Sequence, residues 1–138
     1  MAHKINCSWE GQMKFKAMDE FGHDVLMDVN PNVGGNNEGF LPMPMLLVGL
    51  GGCMGVDVKM ILDKMRVEIE SMNLEVIGEI DDGKPKTYKE IKLKFYFKGK
   101  DLNMDKLERA IKLSEEKYCN VSAILSKSAK IVHEILIL

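Results

Sequence analysis

The chain contains very little arginine. Of its 19 basic residues only Arg66 and Arg109 are arginines, and the others are lysines. Arginine holds carboxylates and phosphates through two parallel hydrogen bonds, and lysine cannot reproduce that planar fork. The net charge is −2, and basic and acidic residues are interspersed along the chain. We therefore expect neither a nucleic-acid partner nor a membrane-surface partner.

A long uninterrupted apolar segment is also missing. The longest apolar stretch, residues 40–58, contains two prolines, several glycines and Asp57, so we expect no membrane span. The first seven residues lack the apolar core of a signal peptide. The cysteine count is three, and an odd number agrees with reduced thiols. We interpret the chain as a single cytoplasmic domain, residues 1–138.

Several common catalytic motifs are absent. His3, His23 and His133 are far apart, and no cysteine or histidine pair has metal-ligand spacing, so we predict no metal site and no cofactor. The glycine-rich segment lacks the third glycine of a dinucleotide-binding motif, and there is no Walker lysine. No Gly-x-Ser-x-Gly elbow exists. Cys53 and Cys119 are too far apart in sequence for a CxxC oxidoreductase motif.

Hydrophobic periodicity predicts an α+β fold with segregated helices. The last strand is apolar on both faces, which predicts a central strand or an interface. Ten turn-forming residues, 30–39, form a loop that is a candidate for shaping a site. The predicted strands are residues 3–10, 13–18, 25–28, 67–80, 88–98 and 131–138. The first predicted helix runs from Pro42 or Pro44 to residues 64–66. A second helix begins after its cap residue Asn103, and a third covers residues 121–128.

The first helix carries four glycines within seven residues, 49–55. Gly49, Gly52 and Val56 are three and four residues apart and share a face, with Cys53 beside it. Each glycine costs about 1 kcal/mol relative to alanine inside a helix. Because these glycines destabilise the helix, a face made of small residues indicates close contact with another element. We expect the helix to be central and buried.

The cysteines allow two interpretations each. Cys53 lies beyond the first helical turn, so a thiolate there needs a cationic or hydrogen-bonding neighbour from elsewhere in the fold. Cys119 immediately precedes a short helix that Asn120 or Ser122 can cap, and free N–H groups at that position stabilise a thiolate. Both are equally well explained as small buried residues. Cys7 alternates with Ile5 and Trp9 and is predicted to lie in the core.

Taken together, the two cysteine segments resemble one protein family. Residues 42–58, PMPMLLVGLGGCMGVDV, resemble the central helix of the OsmC/Ohr family, and residues 114–125, SEEKYCNVSAIL, resemble its second cysteine segment. Trp9, Phe15, residues 25–28 and the Gly34–Gly35 pair extend the similarity over nearly the whole chain, especially to the OsmC-like branch. The resemblance implies an intertwined homodimer of α+β subunits, with antiparallel sheets around a long central helix.

The resemblance also implies a cysteine-based thiol peroxidase. Cys53 would attack an organic hydroperoxide and become a sulfenic acid, and Cys119 would resolve it as a disulfide. An external dithiol or a lipoyl-type reductant would then reduce the pair, without a cofactor. Such a protein would belong to oxidative-stress defence.

This sequence departs from the family at the activating residues. Hydroperoxide-reducing members carry an arginine in the N-terminal hairpin and a glutamate after the proline that opens the helix. Here Lys14 and Lys16 are the only basic residues of the second strand. Glu38, in the loop that precedes the first helix, is the candidate substitute for the glutamate. Two alternatives therefore stay open: a non-enzymatic dimeric binding module for an apolar or thiol-bearing small molecule, and a thiol reaction on a non-peroxide substrate.

Overall fold

The computed structural model describes all residues, 1–138. Two compact units make up the chain, Met1–Leu46 and Leu47–Leu138. The α+β class is confirmed, because the chain forms two three-stranded sheets and three α-helices. The elements in chain order are β1 (Asn6–Trp9), β2 (Phe15–Met18), β3 (Asp24–Met27), α1 (Met45–Lys64), β4 (Ser71–Ile80), β5 (Tyr88–Lys98), α2 (Met104–Leu113), α3 (Asn120–Leu125) and β6 (Lys130–Ile137).

The first unit is an antiparallel meander. β2 pairs with both β1 and β3, as the alternating pattern predicts, and a 3₁₀ turn at Pro31–Val33 interrupts the loop that follows. Cys7 and Trp9 are exposed in the single chain, so the prediction that Cys7 lies in the core is wrong for this chain by itself. Only four residues of β1 pair with β2, and no apolar layer of the single chain covers these side chains.

The second unit holds the main core. β5 lies between β4 and β6, and its inward residues, predicted from strict alternation, are fully buried. The prediction that both sheets are antiparallel fails at β6, which runs parallel to β5. A parallel partner requires a long crossover connection, and α2 and α3 supply it. The buried residues of β5 are Ile91, Leu93, Phe95 and Phe97.

Two strand predictions need correction. Of the two alternatives for the last strand, the central position is wrong, because β6 lies at the edge of its sheet with most of its residues half-buried; the interface stays a prediction. β4 begins at Ser71, so residues 67–70 lie outside the strand. The central-strand interpretation followed from counting apolar residues on both faces, which cannot distinguish a strand between two neighbours from one with a free edge.

The long helix α1 packs against the second sheet by one face only. Leu50, Met54, Val58 and Leu62 form its fully buried stripe. A Cβ atom added at Gly51 would lie 3.2 Å from Val76 of β4, so this glycine permits a close approach. By length and composition alone α1 could cross a membrane, although the core helix of a soluble protein meets the same criterion.

Candidate functional site

Helix α1 places Cys53 in its middle turns, where the side chain is half-buried. Asp57 follows one turn later, and residues four apart on a helix lie on the same side. Asp57 is also half-buried, and its Oδ2 accepts a hydrogen bond of 2.9 Å from the Ser114 hydroxyl. The helix therefore presents a thiol and a carboxylate together.

Cys119 lies at the junction between a π-helical turn, Ser114–Tyr118, and α3. Its extended backbone makes Cys119 itself the N-cap of α3, whereas the sequence predicted Asn120 or Ser122. The Cys119 Sγ accepts a hydrogen bond of 3.3 Å from the Ser122 backbone N–H. A helix N-terminus thus faces this thiol, as predicted.

The Cys119 thiol is almost completely buried, with 3% of its surface exposed. Burial raises the pKa of Cys119 to about 11, because the charged thiolate loses its hydration. The Ser122 N–H acts in the opposite direction, and the neighbouring Cys53 thiol adds to the increase. Cys119 is therefore a protonated thiol at neutral pH.

The fold brings these three side chains into one cluster. The Cys53 Sγ, an Asp57 carboxylate oxygen and the Cys119 Sγ all lie within 4.8 Å of one another. The predicted meeting of the two sulfurs is thus present in the geometry, although the two cysteines lie in separate parts of the sequence. A disulfide bond is about 2.05 Å long, so a modest movement of the two side chains would bring the sulfurs to bonding distance.

Asp57 and Ser114 are the members of this site that sequence reasoning missed. The available signal for Asp57 was its spacing of four residues from Cys53 on the same helix. Ser114 follows the last residue of α2, where the chain enters the π-helical turn. Single π-helical turns occur frequently at functional sites.

An open pocket of about 390 Å³ borders Asp57. Its wall is largely apolar, and Lys64 supplies the only basic side chain in the lining. The remaining lining residues are Met60, Ile61, Leu113 and Tyr118. The pocket thus adjoins the thiol–carboxylate cluster and suits an apolar organic molecule.

The supporting residues proposed from the sequence all lie in the first unit. Lys14 Nζ contacts Glu38 Oε2 at 3.2 Å, so this candidate pair does form. Lys16 instead contacts Glu10 at 3.9 Å. Whether these residues act on Cys53 stays a prediction.

The loop that carries Glu38 is organised by Asp28, which is 1% exposed. Burial opposes ionisation of Asp28, but the backbone N–H groups of Val29, Glu38 and Asn36 donate to its carboxylate and hold the pKa below its usual value. A buried carboxylate thus fixes the loop whose composition indicated a site-shaping role.

Neither arginine belongs to the cysteine cluster. Arg66 lies beyond the end of α1 and lines a separate surface pocket with Lys59 and Asp63, and Arg109 lies on α2. Within the unit 47–138, no ion pair includes Asp57. The ionisable neighbour of Cys53 on α1 is therefore Asp57, an acid rather than a cation.

Comparison with known proteins identifies the family. The family model described as OsmC-like protein matches residues 35–134. The chain belongs to the OsmC-like family. Its relatives include Protein YhfA of Escherichia coli strain K12, which is 34% identical over 125 residues, covering 91% of this chain and 90% of that protein.

Solved structures share the OsmC-like fold over the full chain. A hypothetical protein from Aquifex aeolicus VF5 has a TM-score of 0.83 at 32% identity, covering 100% of this chain and 98% of that one. The organic hydroperoxide resistance protein OhrB of Bacillus subtilis has a TM-score of 0.67 at 18% identity, covering 98% of both chains. At that identity, the likeness to OhrB concerns the fold alone.

Proposed function

We propose that this OsmC-like protein is a cysteine-based thiol peroxidase that reduces organic hydroperoxides. The observation that carries the proposal is the cluster in which the Cys53 and Cys119 sulfurs lie within 4.8 Å of each other. The fold shared with organic hydroperoxide resistance proteins supports it. The apolar pocket beside Asp57 favours an organic hydroperoxide over hydrogen peroxide.

The two cysteines have different roles in this reaction. Cys53 is the more accessible thiol, and its sulfur attacks the terminal peroxide oxygen, which breaks the O–O bond. Cys53 becomes a sulfenic acid, and the alkoxide leaves as an alcohol after protonation. Cys119 then attacks the sulfenic sulfur, forms the disulfide and releases water. An external dithiol, such as a lipoyl-type reductant, returns both cysteines to thiols and becomes a disulfide itself.

The remaining expectations belong to the same proposal. The partners are a second copy of the chain, the hydroperoxide and the dithiol. A reducing compartment such as the cytoplasm keeps the resting thiols reduced. Lys14 paired with Glu38 is the candidate for the activating role that arginine and glutamate have in hydroperoxide-reducing members.

The test is peroxide consumption by the purified protein. Cumene hydroperoxide and a reduced lipoyl compound are mixed with the wild-type protein, Cys53→Ser, Cys119→Ser and the control Cys7→Ser. We expect Cys53→Ser to abolish turnover and Cys7→Ser to retain it. Mass spectrometry of peroxide-treated wild-type protein should find a Cys53–Cys119 disulfide. Turnover that is unaffected by Cys53→Ser would remove the peroxidase proposal.

The second candidate is a non-enzymatic module that binds an apolar or thiol-bearing molecule. The pocket of about 390 Å³ beside Asp57 is the observation in its favour. Cumyl alcohol is the unreactive product of cumene hydroperoxide reduction, and its binding, measured by calorimetry and compared with the turnover assay, distinguishes the two functions. Binding without any Cys53-dependent turnover would favour the module, and Cys53-dependent turnover would exclude a purely non-enzymatic function.

A further inference from the structure

The cluster of Cys53, Asp57 and Cys119 has the composition of a metal-ligand set. Two thiols and a carboxylate offer one ligand atom each, and these atoms lie within 4.8 Å of one another. A tetrahedral zinc site with ordinary bond lengths places sulfur ligands about 3.8 Å apart and a sulfur and an oxygen about 3.5 Å apart. The distances between the ligand atoms therefore need to shorten by about 1.3 Å or less for the three side chains to share one ion.

The charge of the cluster points to a cation. No basic side chain of the unit 47–138 forms an ion pair with Asp57. The hydrogen-bond partner of Asp57 is the neutral Ser114 hydroxyl. A bound divalent ion would supply the positive charge that no ion pair of this unit gives to Asp57.

Neighbouring hydrogen bonds fix two of the three ligands. The fully buried Ser114 donates to Asp57 Oδ2 at 2.9 Å, and its backbone carbonyl accepts from the Cys119 N–H at 2.8 Å. The Ser122 N–H donates to the Cys119 sulfur. Partners of this kind orient metal ligands and tune their affinity in known sites. One serine thus connects the carboxylate of α1 to the backbone of the second cysteine.

We propose that Cys53, Asp57 and Cys119 bind a divalent cation of the zinc class in the reduced protein. Thiolate and carboxylate ligands together suit zinc better than magnesium or calcium, which prefer oxygen alone. Three protein ligands leave a fourth position, and the half-buried Cys53 and Asp57 leave it accessible to water.

Metal binding and disulfide formation exclude each other at this site. Coordination replaces the proton of each thiol with the ion, so two protons leave for every ion bound. A Cys53–Cys119 disulfide has no thiolate left to coordinate, so oxidation releases the ion. An azodicarboxamide can oxidise the two thiols to the disulfide without peroxide. It takes up the two electrons and two protons of the thiols and becomes a hydrazine.

The test uses zinc and cobalt without any peroxide, so its outcome is independent of the proposed peroxidase activity. Protein reduced with a phosphine is titrated with Zn²⁺ in competition with a chromophoric chelator. We expect one ion per chain, and an affinity at least tenfold lower in Cys53→Ser, Cys119→Ser and Asp57→Asn. Cys7→Ser and Asp63→Asn, which alter an exposed thiol and an exposed acid of α1, should bind as the wild type does.

Two further measurements on the wild-type protein do not depend on folding of a variant. Co²⁺ should give a thiolate-to-cobalt charge-transfer absorption, which azodicarboxamide treatment should abolish. Zn²⁺ should slow alkylation of Cys53 and Cys119 by iodoacetamide while Cys7 reacts at an unchanged rate. The site is disproved if Co²⁺ gives no charge-transfer absorption, if Zn²⁺ leaves alkylation unchanged, or if Asp57→Asn binds Zn²⁺ with wild-type affinity.

Discussion

Cys119 is the residue whose surroundings most directly control the proposed chemistry. Cys119 is buried, and its sulfur accepts a hydrogen bond from the Ser122 backbone N–H. Burial raises its pKa to about 11. A resolving thiol reacts as the thiolate, and the thiolate fraction at neutral pH is therefore very small. Formation of the disulfide, rather than attack on the peroxide, is the step that this environment slows.

The rate of disulfide formation should therefore rise with pH. We expect an increase of roughly tenfold per pH unit from neutral pH towards 10, because the Cys119 thiolate fraction grows by that factor below its pKa. Rapid-mixing experiments with one equivalent of cumene hydroperoxide, quenched by alkylation and read by mass spectrometry, measure it. Dimedone labelling of Cys119→Ser reports the preceding oxidation of Cys53 as the control. A disulfide rate that is constant between pH 7 and 9 would contradict the prediction.

Gly78 of β4 is required for packing rather than for backbone conformation. A Cβ atom built there would lie 2.5 Å from the ring of Tyr88, a buried residue at the start of β5. Gly78→Ala should therefore lower the free energy of unfolding by about 1–3 kcal/mol, measured in urea. Gly55→Ala serves as the comparison, because its new Cβ would contact only Leu74 at 3.9 Å, an ordinary van der Waals distance. An equal effect of both substitutions on stability would argue against the steric explanation.

At the scale of elements, His133 connects β6 to the segment that carries Cys119 through hydrogen bonds. His133 on β6 contacts Glu115 of the π-helical turn at 3.0 Å and Glu108 of α2 at 2.7 Å. The hydrogen bond to Glu115 raises the pKa of His133, with Glu108 contributing in the same direction and burial opposing it. His133 thus joins the edge strand to the helical crossover, and its contacts with the two glutamates favour the protonated form.

This contact should make stability fall as the pH rises. A raised pKa in the folded state means that the stabilisation is complete below the unfolded value of about 6.5 and is lost as pH passes through the folded pKa. The difference in the free energy of unfolding between wild type and His133→Gln should therefore shrink between pH 6 and 9. His23→Gln, which alters an exposed histidine of the first unit, is the control. A difference that grows with pH would contradict this assignment.

The regular elements could be predicted because their patterns are local. β5 alternates strictly and has the predicted bounds, and α1 begins one residue after Pro44, the later of its two predicted starts. The position of β6 at a sheet edge and its parallel pairing depend on the path of the crossover, which leaves no periodic signal. The same holds for the cluster of Cys53, Asp57 and Cys119, since a π-helical turn directs Cys119 back towards α1.

For the whole molecule, the second face of α1 is unoccupied in the single chain. Val48, Val56 and Met60 are about half exposed, and no atom lies within 4 Å of a Cβ built at Gly49 or Gly52. The sequence prediction that this small-residue face contacts another element is therefore not met within the chain. Association of two copies through α1, as the family resemblance implies, would cover it and remove apolar surface from water.

Substitution of Gly49 tests this association. Gly49 is exposed and nothing lies within 4 Å of a Cβ atom built there, so an added side chain points into open space in the single chain, but a leucine would keep two closely packed helices apart. We expect the wild-type protein to sediment as a dimer and Gly49→Leu to sediment as a folded monomer, measured by sedimentation velocity with circular dichroism to confirm the helix content. Lys112→Leu, which adds the same side chain at an exposed position of α2, should leave the dimer intact. A Gly49→Leu protein that sediments as the wild-type dimer would place the subunit contact on another surface, because a helix pair separated by an added leucine cannot retain its packing.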